Sequence, residues 1–132
     1  MNSKTIEQEI QVKGLTAPRV TLADIEANIA SEHYFTAFEG AMHTGEHAKY
    51  AGDWEVPCTI EALSLLTFCV LVLRNGFTVT GESACASPEN FDAELGRKIA
   101  RQNAVAKAWP LMGYALKERL HERAAQTPEA SI

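Results

Sequence analysis

Four cations in fourteen residues, with no acid among them, mark the stretch "GRKIARQNAVAKAW" at 96–109: Arg97, Lys98, Arg101 and Lys107. Guanidinium and ammonium groups at this density suit phosphates or carboxylates. On a helical wheel, Leu95, Ile99, Ala106 and Trp109 share one side, the expected core face. Arg97 and Arg101 lie opposite, one turn apart, with Lys98 and Lys107 on the flanks. Ala104 and Ala108 extend this outer line, and side chains that small let another surface come close. Solvation alone is the bland reading of such a face, since Arg and Lys are good helix formers. However, cations one turn apart repel, and near a helix N-terminus they oppose its dipole, at a cost of roughly a few tenths of a kcal/mol. The placement therefore favours an anionic or acidic partner.

Other residues carry less. His43, Glu46 and His47, with His33 and Cys58 nearby, have metal-ligand side chains. His-x3-His needs a helix to bring its imidazoles together, and "TGEHAKYAGD" is a poor helix former, so no metal is expected. Ser83 and Cys85 in "GESAC" have no elbow pattern and no marked base. Gly76 and Gly81 belong to no phosphate-loop spacing, and Cys69 reads as a small hydrophobe. Trp54, in an acidic stretch, suits either a partner anchor or a cap on the core. The expectation is a binding protein, not an enzyme, with no cofactor.

The elements that must hold these residues follow from patterning. "TIEQEIQV" reads as a short helix ended by Gly14. "TLADIEANIASEH" reads as a second, with Thr21 and Asp24 as a capping box. "YFTAF" is an expected short strand, and 39–58 an expected long variable loop. "LLTFCVLVLRNGFTVTGESA" is a β-hairpin, with Asn75-Gly76 as a type I′ turn. On its return strand Phe77 and Val79 alternate with Thr78 and Thr80, facing a core. On its outgoing strand Phe68, Val70 and Val72 occupy one face and Cys69, Leu71 and Leu73 the other. One helical layer cannot cover both rows, which predicts a homodimer or larger oligomer through the sheet. Pro110 should kink or restart the last helix. The expected fold is α+β, a three-stranded antiparallel sheet against helices, in the order α-(α)-β-β-β-α-α. Residues 1–18 form an arm or short helix, 19–125 the domain and 126–132 a flexible tail.

The totals bound the function. The 132 residues carry a formal charge of −5 and are 46% hydrophobic, ordinary for a globular domain. Residues 1–93 hold 13 Asp/Glu against 5 Lys/Arg, whereas residues 94–123 hold 7 Lys/Arg against 3 Asp/Glu. This balance argues against bulk coating of nucleic acid but leaves room for a local anion site. The three cysteines have no framework spacing, which fits a reducing compartment. There is no membrane-length apolar run, and the N-terminus lacks the apolar core of a signal peptide.

Two resemblances add to this. Arg97, Lys98, Ala100 and Arg101, followed by Ala104, Ala106 and Ala108 and preceded by "VTGES", are similar to the double-stranded-RNA-binding domain over about residues 21–109. That family has the order α-β-β-β-α and grips phosphates with the basic start of its last helix. The resemblance implies, as an alternative function, a nucleic-acid-binding module. Nearly the whole chain, from "EQEIQVKGLTAPRVTLADIEANI" to "LLTFCVLVLRNGFTVTGESACASPENFDAELGRKIARQNAVAKAWPLMGYALKERL", resembles a family of small tailed-phage and prophage proteins. That implies an accessory protein acting in the host bacterial cytoplasm, in host takeover or counter-defence. Its partner would be a host protein or a nucleic acid or nucleotide, met by Arg97, Lys98, Arg101 and Lys107.

Overall fold

A computed structural model describes residues 3–43 and 56–126. The fold is α+β, with a three-stranded antiparallel sheet in the order β1–β2–β3. In chain order the elements are α1 (Ser3–Val12), α2 (Leu22–Ala27), β1 (Ile29–Thr36), α3 (Ala37–His43), α4 (Val56–Ser64), β2 (Leu66–Leu73), β3 (Thr78–Ala84) and α5 (Ala93–Gln126). A 3-10 turn at Pro88–Asn90 leads into α5. Two compact units emerge: Met1–Asn28 with Ala108–Ile132, and Ile29–Lys107.

In the first unit, α1 ends at Gly14, whose φ of +65° is open to glycine without strain. Leu15 N–H donates to the Ile10 carbonyl at 3.3 Å and Gly14 N–H to that of Gln11 at 3.1 Å, the paired bonds of a Schellman end. Thr21 caps α2 through the expected capping box with Asp24. The helix is shorter than expected: it ends at Ala27, and the strand expected over 34–38 instead begins at Ile29 and ends at Thr36. The reason is tertiary, since all but one residue of this segment (Ala30) find partners along β2, from Ile29 opposite Leu73 to Thr36 opposite Thr67.

In the second unit the expected hairpin is present, with a different turn. Gly76 N–H donates to Leu73 O (2.9 Å) and Leu73 N–H to Phe77 O (2.8 Å), closing a three-residue loop, Arg74–Gly76. Only Gly76 has positive φ (+89°), so the turn is not type I′, which needs two such residues. The Asn75 side-chain oxygen accepts from Phe77 N–H at 2.9 Å. Phe77 lies before β3 and is 55% exposed, whereas Val79 is buried as expected. Thr36 and Glu39 cap α3: Thr36 N–H and Oγ1 both donate to Glu39 Oε1 at 3.1 Å. Hence the stretch expected as one loop begins and ends in helix, α3 and α4.

The sheet's two faces are unequal. Thr67, Cys69, Leu71 and Leu73 are buried, and Phe68, Val70 and Val72 are half-buried. The row expected to need a second subunit is thus covered within the chain. Above it run Gly96, Ala100 and Ala104, a buried stripe of small residues on α5. A Cβ on Gly81 of β3 would overlap the Ala100 carbonyl and the Ala104 amide, so helix and strand meet backbone to backbone. This reverses the expected orientation of α5. Leu95 and Ile99 are exposed, at 53% and 38%, as is Ala106, while Ala104 and Ala108 are buried. Size decides the face: only small residues permit so close an approach. The helix also runs unbroken through Pro110 as one 34-residue element.

The bonds Leu73–Phe77 and Cys85–Leu65 fix which residues of β3 bond inward to β2. Thr78, Thr80, Glu82 and Ala84 therefore turn their backbone groups outward, along a sheet edge. Asn103 of α5 donates Nδ2–H to the Glu82 carbonyl at 2.8 Å, capping that edge at its middle.

Candidate anion-binding site at the start of α5

Asp92 starts α5 as its cap, its Oδ1 accepting Leu95 N–H at 3.0 Å and its carbonyl Gly96 N–H at 2.9 Å. Glu94 follows in the first turn and pairs with Lys98 at 3.4 Å, both largely exposed. The dipole penalty expected for the basic run is thereby offset by two carboxylates ahead of it.

The four expected cations separate. Arg101 is half-buried and forks onto Glu32 of β1, Nε to Oε1 at 2.9 Å and Nη2 to Oε2 at 3.1 Å. Tyr34 donates its hydroxyl to the same Glu32 at 2.6 Å. These bonds, Arg101's first, hold the Glu32 carboxyl below its usual pKa. Burial, then Glu32, raises the Tyr34 hydroxyl. Desolvation also raises the Cys69 thiol, which is fully buried and inert. Arg101 is therefore a structural clamp between α5 and β1. It does not lie on an outer face as expected, because the helix is rotated. Lys107 is exposed and reaches Thr80 Oγ1 only at 3.5 Å.

Arg97 is different. It is exposed, and no ion pair of its own occurs among the described residues. It lines a cleft of about 150 Å³ together with Tyr34, Thr36, Thr67, Phe91 and Glu39. Lys98 is exposed on the adjacent flank of the helix. Two of the three cleft hydroxyls are occupied by carboxylates, Tyr34's by Glu32 and Thr36's by Glu39. Among the described residues lining the cleft, the Arg97 guanidinium is the one cationic group. Trp54, Glu46 and His47 lie outside the described residues. His43 ends α3, exposed. Among the described residues no three metal-binding side chains cluster.

The sequence reading missed Tyr34, Thr36 and Thr67. Tyr34 and Thr36 fall in the expected strand, and Glu32 alternates with them at strand spacing although the helical reading ran on to His33.

A family model, described as "Phage protein (N4 Gp49/phage Sf6 gene 66) family", matches residues 20–120. The chain belongs to this phage protein family. The match takes in α2, the sheet and most of α5, while α1 lies outside it. No curated protein and no solved structure matches the chain. No described helix is long and apolar enough to cross a membrane.

Proposed function

We propose that this phage protein is a non-catalytic accessory protein that binds an acidic group of a host protein through Arg97, with Lys98 beside it. The single observation behind this reading is the exposed Arg97 guanidinium in its cleft, with no ion pair among the described residues. A guanidinium left in this state is matched by a carboxylate or phosphate bound in fork geometry. Membership of a phage protein family is consistent with an accessory role during infection; action in the host cytoplasm, in takeover of the host or in countering its defences, is part of the proposal. Arg101 is left out of the contact, because Glu32 already occupies its fork.

The test is recovery of partners from infected bacterial lysate, with and without nuclease, by wild type and by Arg97→Glu. Nuclease-resistant recovery of one host protein, lost with Arg97→Glu and in high salt, supports the proposal. Undiminished recovery by Arg97→Glu overturns it. Nuclease-sensitive recovery overturns the protein partner and favours a nucleic-acid-binding module instead, with affinity falling steeply as salt rises.

A further inference from the structure

The first two turns of α5 carry a charged pair and an apolar pair, each complementary to its own reverse, with centres one residue apart. Glu94 and Lys98 stand four residues apart, as do Leu95 and Ile99, and each apolar residue directly follows its charged one. Leu95 and Ile99 are exposed, at 53% and 38%. They border a recess of about 150 Å³ to which Leu65, Phe91 and Cys85 also contribute. Glu94 and Lys98 are both more than two-thirds exposed, so their bond to each other is one that water or a neighbour replaces at little cost.

We infer that a second copy of this chain docks here, with the two α5 starts packed antiparallel about a two-fold axis near residues 96 and 97. Reversing the direction of one helix brings Leu95 onto Ile99 of the other copy, and Ile99 onto Leu95. The same operation brings Glu94 to within about 3 Å along the axis of Lys98 of the other copy, and Lys98 likewise of Glu94, an offset their long side chains span. Two ion pairs within single copies become two between copies, flanking an apolar centre. An isologous contact requires this self-complementarity, and the order of apolar centre and polar rim is that of protein interfaces. Strand addition at the neighbouring β3 edge is the competing way to join two copies. It is obstructed, because Asn103 already occupies the outward Glu82 carbonyl. Arg97 lies on a different side of the helix, against the Tyr34–Thr36 cleft, so the contact leaves the Arg97 guanidinium open to a partner while it engages Lys98.

Sedimentation equilibrium and light scattering on the full chain at micromolar concentration provide the test. The expected species has about twice the 14.4 kDa mass of one chain. Ile99→Glu places a carboxylate at the apolar centre and should weaken dimerisation by at least about tenfold, with an unchanged circular dichroism spectrum. Glu94→Lys alone and Lys98→Glu alone set like charges together and should each weaken it. The double exchange Glu94→Lys/Lys98→Glu should restore it, which a merely structural role for either residue would not do. A wild-type chain that stays monomeric overturns the inference. So does a dimer indifferent to Ile99→Glu and to the single charge reversals, which would place the contact on another face, such as the half-buried row Phe68, Val70 and Val72.

Discussion

A side chain on Gly81 has no room: its Cβ would overlap the Ala100 carbonyl and the Ala104 amide, and would lie 2.9 Å from the Asn103 carbonyl carbon. All three obstacles are backbone, which cannot swing aside as a side chain does. Gly81→Ala should therefore lower stability by more than about 3 kcal/mol, at or beyond the upper end for overpacking. Gly96, on the same buried stripe, is the control. A Cβ there would meet the Thr67 hydroxyl at 3.2 Å, a side-chain atom able to give slightly. Replacing a helical glycine by alanine also gains up to about 1 kcal/mol of propensity. Gly96→Ala should stay within about 1 kcal/mol of wild type by the same denaturation measurement. Equal effects at the two positions would show that the helix does not ride on β3 as closely as these contacts require.

The elements differ in how openly the sequence states them. Gly76 announces the hairpin, and with φ at +89° and open space around it, its cost on substitution is a backbone cost alone. Gly76→Val should destabilise by more than about 1 kcal/mol, because a β-branched residue resists positive φ. An unchanged urea midpoint would contradict the turn. The type of turn was less legible, since Asn-Gly also serves at the end of a three-residue loop. Only the first part of β1 is hidden, because "NIASEH" has helical periodicity behind a good cap, and pairing with β2 overrides it. The buried face of α5 is not its most hydrophobic one, since Leu95 and Ile99 are exposed. The better guide was Gly96, Ala100 and Ala104 at spacing four, read together with a lone glycine inside a strand. The basic run was legible as composition, but which cation remains available for a ligand was not. That depends on Glu32, sixty-nine residues before Arg101 and brought to it only by the fold.

Among the described residues, each compact unit contains a forked carboxylate–arginine pair, Glu7 with Arg19 and Glu32 with Arg101. The Arg19 bonds, and then that from Gln11, hold the Glu7 carboxyl down at about 2 instead of 4.5. Glu32 is lowered too, by Arg101 first and Tyr34 second. In both cases the unfolded chain binds the proton more readily. The stabilisation is therefore fully present above the ordinary carboxylate value and is lost as pH falls through the depressed one. The denaturation midpoint should be level near neutrality and decline below about pH 4.5. Glu7→Gln should shallow that decline toward pH 2. A midpoint that holds steady down to about pH 3 would contradict both pairs.

The chain's connectivity also sets an order in time. Residues 74–77 separate β2 from β3, whereas residues 37–65 separate β1 from β2. Closing the longer connection costs roughly 2 kcal/mol more in chain entropy, by the logarithm of the lengths. The β2–β3 hairpin is thus the earlier event, forming on the microsecond scale of isolated hairpins, and β1 joins a sheet already begun. Gly76→Val should consequently slow folding more than it speeds unfolding, while substitutions at Glu32 on the late strand should act mainly on unfolding. Until β1 arrives, the β2 edge that will receive it, with Phe68, Val70 and Val72 beside it, stands open to any other strand. The interval before docking, more than the finished fold, is when this chain is exposed to misassembly in a crowded cell.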